Sequence, residues 1–142
     1  MESVLICRDG HEDSVLGNLA LARAIARAGS RATVVFAGDA LAALDRGTFE
    51  WAYNFRGREA RMGVIRQAEA AGLKMASARD PRWSDVRALV RACKGEENIR
   101  LLACPLWADF LDVSARVDYL ERIDEAQLVD LLARADKVIG GY

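Results

Sequence analysis

The sequence predicts an α/β protein in which helices cover both faces of a five-stranded, mostly parallel sheet. Short, mostly apolar runs, such as residues 4–7, 32–37 and 99–103, are typical of strands that are buried on both faces. Between them lie longer segments whose apolar residues recur every three or four positions, as they do along one face of a helix. Strands that alternate with helices in this way form parallel sheets joined by right-handed crossovers. The 142 residues are expected to form a single domain over residues 1–142.

The first strand-helix unit is expected over residues 4–29. Polar residues 8–14 form a turn after the first strand, with Asp13 or Ser14 as the helix cap. A broad apolar face follows, and Gly29 ends the helix.

The middle of the chain is predicted to contain three helices and one weak strand. The second strand leads into a short helix over residues 38–44, and a longer helix over residues 59–71 stops at Gly72. Residues 73–78 predict a weaker third strand, and Ser84 caps the next helix. The inward positions of that helix follow the i, i+3, i+4, i+7 pattern and are Val86, Leu89, Val90 and Cys93. Its cysteine is therefore expected in the core.

The last part of the chain is predicted to hold two strands and two helices. Residues 99–103 form the fourth strand and lead into a short helical pattern. Asp124 and Gln127 have the spacing of a capping box at the start of the last long helix, and residues 137–139 form the fifth strand. The inward stripe of that long helix is Leu128, Leu131, Leu132 and Ala135.

The composition excludes several classes of protein. The 20 basic and 21 acidic side chains nearly cancel, so no global field attracts nucleic acid or an anionic membrane. No stretch approaches the roughly 20 apolar residues of a membrane helix, and Glu2 stands where a signal peptide carries positive charge. Three widely spaced cysteines form no disulfide framework. We therefore expect a cytoplasmic protein with neither nucleic acid nor membrane as a partner.

Cys104 is the residue that most strongly suggests chemistry. It follows a strand and precedes Pro105, whose fixed φ and missing N–H suit the first helical position. Cys104 is thus expected at the helix N-cap, where the N–H groups of residues 106–108 and the helix dipole favour the thiolate. This mechanism requires the sulfur to be exposed and to face those amides. The alternative is packing alone, because free cysteine is among the most buried residue types.

The role of His11, the single histidine, depends on strand order. Ligands bind at the carboxyl ends of parallel strands, and His11 lies in the turn after the first strand. In the order 3-2-1-4-5 this turn overhangs Cys104, whereas in the order 4-3-2-1-5 three strand spacings, roughly 14 Å, separate the two strand ends. A lone histidine in a polar turn is also often only solvated. Cys7 is expected to be a buried hydrophobe, since a resolving thiol would need its Cα within about 7 Å of that of Cys104.

Four aromatic residues, Phe49, Trp51, Tyr53 and Phe55, alternate at period two, and arginines follow them. Such alternation predicts an extended segment that presses one face against another surface. Aromatic residues and arginine are enriched at protein interfaces, which favours a subunit or partner interface. A substrate lid is the first alternative, and a surface that stacks nucleic-acid bases is the second. The near-zero net charge disfavours the second.

Several motifs are absent from the sequence. Only Gly10 follows the first strand, so there is no G-x-G-x-x-G fingerprint, and no Walker A sequence occurs. One histidine and three scattered cysteines provide no metal-ligand cluster. Trp107 stands where a second thiol would complete Cys-x-x-Cys, which disfavours dithiol exchange. We expect Trp107 under or beside the Cys104 thiol, although core packing explains it equally well. Neither a metal nor a cofactor is expected.

Along nearly its whole length, the chain resembles the DsrE/DsrF-like sulfur-relay family of the DsrEFH superfamily. The matching features are the opening strand and helix over residues 4–29, the strand followed by Gly38 and Asp39, residues 100–104, and residues 126–138. The last two are the more specific. The order and spacing of all four are harder to obtain by chance than any one of them.

The resemblance implies a three-layer α/β/α subunit, a single DsrE-like domain, that assembles into homotrimers or hexamers. It implies that Cys104 is the family cysteine, which in active members carries sulfane sulfur as a persulfide and passes it to a partner thiol. His11, Pro105 and Trp107 would then lie at the binding site. The function hypothesis is therefore a cytoplasmic sulfur carrier or sulfurtransferase that works with sulfur-donor and acceptor proteins.

Two other functions remain open from the sequence. The first is a non-enzymatic DsrE-like module that binds a ligand or a protein segment at the strand ends, with the aromatic residues 49–55 as a lid. The second is a purely structural subunit, in which Cys104 would be buried and unreactive.

Overall fold

The computed structural model describes residues 1–114 and 117–142, and within them six α-helices accompany a sheet of five parallel strands. The strands are β1 (Glu2–Cys7), β2 (Arg31–Phe36), β3 (Ile99–Ala103), β4 (Glu121–Arg122) and β5 (Lys137–Gly140). The helices are α1 (Glu12–Arg27), α2 (Gly38–Arg46), α3 (Arg58–Ala70), α4 (Val86–Lys94), α5 (Pro105–Leu111) and α6 (Glu125–Arg134). The predicted α/β class is confirmed.

Side chains from the central strands alternate between two apolar clusters on opposite faces of the sheet, as the period of a strand requires. Leu5, Val34 and Leu101 belong to the larger cluster, which also contains buried residues of α1 and α4. Their neighbours in sequence, such as Val4 and Leu102, belong to the second cluster, which contains Leu131 of α6. Helices therefore cover both faces, and the three-layer α/β/α arrangement is confirmed.

The strand order is β4-β3-β2-β1-β5. The strands β1, β2 and β3 end level with one another, because Cys7 is opposite Phe36 and Phe36 is opposite Ala103. The chain adds β2, β3 and β4 outward on one side of β1, and α6 then returns it to the other side, where β5 pairs with β1. The direction of winding therefore reverses between β1 and β5, which is where doubly wound sheets bind ligands.

The predicted third strand over residues 73–78 is wrong. Within this segment only Ala76 forms a bridge, an isolated antiparallel one with Ser84. Hydrogen bonds from Ser77 N to Trp83 O (2.7 Å) and from Asp85 N to Met75 O (2.8 Å) fold the segment back on itself instead of joining it to the sheet. Burial of its apolar side chains against helices produced a pattern like that of a strand.

The fifth strand of the sheet is β4, which the sequence did not predict. Both of its residues, Glu121 and Arg122, are exposed, so the strand has no apolar pattern. It pairs with β3 through the backbone, with Leu102 opposite Glu121. A search for apolar runs does not detect an edge strand that consists of two polar residues.

The helix caps confirm some predictions and correct others. The capping box at Asp124 is confirmed, with Gln127 N 2.8 Å from Asp124 Oδ1 and Asp124 N 2.9 Å from Gln127 Oε1. The N-cap of α1 is His11, not Asp13 or Ser14. The N-cap of α4 is Asp85, whose carboxylate accepts a hydrogen bond from Ala88 N, and not Ser84.

Candidate functional site

A cavity of about 700 Å³ opens at the carboxyl edge of the sheet, and we call it the edge cleft. It lies between β1 and β5, where the direction of winding reverses. Ile6 of β1 lines it, as does Gly141, which directly follows β5. Helix α2 forms a second wall and α5 a third. The residues that line it are Ile6, Arg8, Asp9, Ser14, Gly38, Asp39, Ala42, Arg46, Trp107, Leu111, Gly141 and Tyr142.

Two glycines allow the turn after β1 to pack closely against the start of α2. A Cβ atom at Gly10 would lie 2.9 Å from the carbonyl oxygen of Asp39, and one at Gly38 would lie 3.1 Å from Cγ of Arg8. Gly38 also has a φ of +52°, a conformation that side chains disfavour. Arg8 O accepts a hydrogen bond from Ala40 N (3.0 Å), which holds the two segments together. This packing places the Arg8 side chain across Gly38 at the wall of the cleft.

The two arginines of the cleft are available for a ligand. Arg8 and Arg46 both line the cavity and are exposed, and neither forms an ion pair within the described residues. Arg46 is the last residue of α2, so it lies at the opposite end of that helix from Gly38 and Arg8. Guanidinium groups bind carboxylates and phosphates through paired hydrogen bonds.

One of the two acidic residues in the cleft is already engaged. The Asp9 carboxylate accepts a hydrogen bond from His11 N (2.9 Å), and its Oδ1 lies 2.8 Å from His11 Nδ1. Partial burial acts to raise the pKa of Asp9, but hydrogen bonds from His11 and Ser14 outweigh it and hold the pKa below its usual value. Asp39 is the carboxylate that remains exposed at the cavity wall.

Tyr142 is held in the cleft by a buried amide. Asn18 is 1% exposed, and its Nδ2 donates to Tyr142 O (2.9 Å) and to Ser14 O (2.8 Å). The Tyr142 ring lies over Gly17, where an added Cβ would be 3.5 Å from Cε1. Helix α1 therefore supports the wall that follows β5.

A smaller cavity of about 210 Å³ shares Asp9, Asp39 and Arg46 with the edge cleft and is also lined by His11 and Glu50. His11 thus lies beside the cleft. The strand β2 lies between β1 and β3, so two strand spacings, roughly 10 Å, separate the strand ends before His11 and Cys104. Of the two orders considered from the sequence, 3-2-1-4-5 is wrong. The order 4-3-2-1-5, in which residues 73–78 count as the third strand and residues 99–103 as the fourth, is correct except that residues 73–78 do not join the sheet and that β4 adds an unpredicted edge. His11 is therefore not placed as a direct partner of Cys104.

Cys104 occupies the predicted position but not the predicted environment. It is the N-cap of α5, with Pro105 as the first helical residue, and its carbonyl accepts a hydrogen bond from Ala108 N (2.8 Å). Its side chain accepts no capping hydrogen bond, and the residue is only 6% exposed. The expected exposure of the sulfur and its contact with the following amides are therefore wrong. The strand alternation turns this side chain into the second apolar cluster with Leu102 and Leu131.

The other two cysteines are buried in the larger cluster, on the opposite face of the sheet from Cys104. Burial raises the pKa of the Cys7 thiol to about 12, with a further contribution from the Asp9 carboxylate. Burial likewise raises the pKa of Cys93 to about 11, and Glu96 adds to this shift. The predicted core positions of Cys7 and Cys93 are confirmed, and all three cysteines are free.

Trp107 links the edge cleft to the packing around Cys104. It lines the cleft and packs against both apolar clusters, including the one that contains Cys104. Its ring meets that of Phe110 edge to face, with centroids 5.5 Å apart. Trp107 therefore lies between the edge cleft and the apolar cluster that contains Cys104.

The aromatic residues 49–55 do not form the predicted extended segment. Phe49 packs against the core and Trp51 is 6% exposed, whereas Tyr53 is 84% exposed. The chain turns in a 3-10 helix at Tyr53–Phe55, which ends the alternation. Only the first two aromatic residues are therefore core residues.

Sequence reasoning missed Arg8, Arg46 and Tyr142 as site residues. Each lies directly after a strand or at the end of the helix that follows one. The rule that ligands bind at strand carboxyl ends points to such residues once the strands are known. Arg46 and Tyr142 meet in one cavity only because β5 lies beside β1, which local patterns do not determine.

Together, the fold and the cleft define a doubly wound α/β protein with a cavity at the switch point of its sheet. No protein-family model and no curated protein sequence matches the chain. Over residues 1–114 and 117–142, no three His, Cys, Asp or Glu side chains are grouped as metal ligands. In the same described part of the chain, every helix is too short or too polar to cross a bilayer.

Proposed function

We propose that the protein is a binding module that holds a small organic anion in the edge cleft. The observation that carries this proposal is the pair of exposed guanidinium groups, Arg8 and Arg46, which line a cavity of about 700 Å³ and form no ion pair within the described residues. Arginine recognises carboxylate and phosphate groups by charge and by geometry. The cavity also occupies the switch point of the sheet, where doubly wound folds bind ligands.

The remaining walls of the cleft indicate what the rest of the ligand contains. Trp107, Leu111 and Tyr142 offer aromatic and apolar surface. Asp39 accepts hydrogen bonds, so the group that faces it is a donor such as a hydroxyl or an amine. The ligand is thus an anion with an apolar or aromatic body and at least one hydrogen-bond donor.

Isothermal titration calorimetry tests this proposal with phenyl phosphate as the probe and phenol as its neutral analogue. We expect phenyl phosphate to bind and phenol not to bind. Arg46→Gln should weaken binding by about tenfold or more, since a hydrogen bond to a charged group contributes roughly 1.5–3 kcal/mol. Arg27→Gln, at the far end of α1, is the matched control and should bind as the wild type does. An Arg46→Gln variant with unchanged affinity, or a wild type that ignores the anion, would contradict the proposal.

A second candidate function is the sulfur relay that the family resemblance implies. The observation that favours it is the position of Cys104 at the junction of β3 and α5, where Pro105 is the first residue of the helix. Trp107 lies between the edge cleft and the apolar cluster that contains Cys104. In this function the Cys104 thiolate takes sulfane sulfur from a donor persulfide, the donor leaves as a thiolate, and an acceptor thiolate later removes the sulfur. Because Cys104 is 6% exposed, transfer requires α5 or Trp107 to move.

Intact-mass measurement after incubation with a persulfide donor separates the two functions. The relay predicts a mass gain of one sulfur atom in the wild type and no gain in Cys104→Ala. The binding module predicts no gain in either protein, and anion affinity that is unchanged in Cys104→Ala.

The resemblance also supports a proposal about assembly and location. Homotrimers or hexamers are expected in solution, with sulfur-donor and acceptor proteins as further partners if the relay operates. Three free cysteines support a reducing compartment such as the cytoplasm. Analytical ultracentrifugation would measure the oligomeric state directly, and a monomer at micromolar concentration would contradict the implied assembly.

A further inference from the structure

Positive charge is concentrated in one part of the chain. Residues 53–83 contain 7 Lys or Arg and 3 Asp or Glu, a net charge of 7 − 3 = +4, in a chain whose net charge is −1. The remaining residues therefore carry −1 − 4 = −5. This segment is therefore basic, although the chain as a whole is nearly neutral.

The same region presents three exposed aromatic side chains. Tyr53 is 84% exposed, Trp83 is 55% exposed and Phe55 is 36% exposed. We define the aromatic–arginine face as these three residues together with Arg58 and Arg82, both of which are exposed. Exposed Tyr, Trp and Arg are the residue types that contribute most to protein interfaces.

Arg61 joins the two segments that form this face. Its guanidinium carbon lies 4.5 Å from the centre of the Trp83 ring, within the range of a cation–π contact. Its Nη1 lies 3.5 Å from the carbonyl oxygen of Arg56, the residue that follows Phe55. Trp83 and the 3-10 turn at Tyr53–Phe55 are therefore neighbours in space.

Both segments are also anchored on the first turn of α1. Glu12 is 8% exposed and accepts a hydrogen bond from Ser84 Oγ (2.6 Å), next to Trp83. Glu12 N donates to Glu50 O (2.8 Å), and Asp13 Oδ1 accepts from Ala52 N (2.8 Å), next to the 3-10 turn. The face is thus held in place by hydrogen bonds to α1, and little ordering is required when a partner binds.

We propose that the aromatic–arginine face docks an acidic segment of a partner protein, whose carboxylates pair with Arg58 while its apolar side chains cover Tyr53 and Trp83. Charge complementarity selects the acidic partner. Nucleic acid is disfavoured because several guanidinium groups already have intramolecular partners: Arg56 donates to Trp51 O (2.9 Å), and Arg82 bonds Asp80 (2.8 Å). Too few cations remain to follow a phosphate backbone.

Fluorescence anisotropy tests this proposal with a labelled peptide of repeating Glu-Asp-Phe. The control probe has Gln and Asn in place of Glu and Asp, and labelled oligo(dT) of equal length represents nucleic acid. We expect the wild type to bind the acidic peptide and to release it as salt rises. Trp83→Ala and Arg58→Glu should each weaken binding about tenfold, the cost of losing one hot-spot residue. Arg27→Glu, a charge reversal at the far end of α1, should leave binding unchanged.

Three results would overturn the proposal. Equal affinity for the acidic and neutral peptides would exclude charge complementarity, and stronger binding of oligo(dT) that is lost in the same variants would assign the face to nucleic acid. Sedimentation that shows self-association in the wild type, but not in Arg58→Glu, would assign the face to a second copy of the chain. Urea denaturation confirms that each variant is folded, so weak binding cannot result from unfolding. Anion binding in the edge cleft is measured separately and is independent of these outcomes.

Discussion

At the residue scale, the edge cleft depends on two glycines that are closely approached by neighbouring atoms. Gly10 packs against the carbonyl of Asp39, and Gly38 lies under Arg8 with a positive φ. These contacts place a guanidinium group at the cleft wall without a buried ion pair to hold it. Close packing between these two segments therefore determines where this positive charge lies.

Gly10→Ala tests this packing. The added Cβ would lie 2.9 Å from a backbone oxygen, which cannot move independently, so we expect a loss of about 1–3 kcal/mol in the free energy of unfolding. Gly63→Ala is the matched control, because it lies inside α3 and its Cβ would meet nothing within 4 Å. That variant should gain about 0.5–1 kcal/mol from helix propensity. Urea denaturation of both variants checks the opposite signs, and equal effects would contradict the packing described.

Glu12 is the buried carboxylate whose titration should affect stability. Burial raises its pKa above the ordinary value of 4.5, and hydrogen bonds from Ser84 and Trp51 offset part of this shift. Between 4.5 and the raised pKa the folded state holds more protons than the unfolded state, so stability falls as pH rises through this window. Glu12→Gln cannot titrate. The difference in unfolding free energy, wild type minus Glu12→Gln, should therefore decrease as pH rises from 4.5, as measured by urea denaturation at stepped pH. A difference that is constant or increases would show that the pKa is not raised.

At the element scale, strands with apolar runs were predictable and the polar edge strand was not. The segments that became β1, β2 and β3 have mostly apolar runs, and side chains from each reach both apolar clusters. The largely exposed β5 was also predicted, at residues 137–139. The strand β4 is polar and two residues long, whereas Leu73 and Met75 are buried in the larger cluster without joining the sheet. An apolar run indicates that a segment is buried. It does not show whether the segment joins a sheet or only packs against other elements.

Helix α6 is the element that returns the chain across the sheet to form the switch point, and its start is set by the Asp124 capping box. Asp124→Ala should cost about 1 kcal/mol in the free energy of unfolding, since it leaves helix N–H groups without partners. Asp130→Ala removes an exposed carboxylate from the same helix that pairs only with Arg134, and it should cost less than about 0.5 kcal/mol. Thermal denaturation compares the two, and equal losses would show that the cap does not determine the stability of this helix.

At the scale of the whole molecule, strand order determines which residues share a site. The sequence analysis predicted that ligands bind at the carboxyl ends of the strands, and it singled out Cys104 there. Two strand orders were left open. The order 4-3-2-1-5 correctly places the fifth strand beside the first and the second strand on its other side, but it wrongly inserts residues 73–78 between the second strand and residues 99–103. Crossovers over tens of residues decide this order, and local patterns do not. That order brings Arg8, Arg46 and Tyr142 together in the edge cleft. The period-two alternation of β3 then turns Cys104 into the apolar cluster under α6.

The most direct test of the edge cleft as a ligand site is an NMR titration of the ¹⁵N-labelled protein with phenyl phosphate. We expect amide shifts to change at the cleft walls, at Asp9, Gly38, Asp39 and Gly141, and to remain unchanged at the aromatic–arginine face. Arg46→Gln should reduce these changes at equal probe concentration. Shifts that appear only at Arg58 and Trp83, or none anywhere at millimolar probe, would contradict the assignment of this cleft to an anionic ligand.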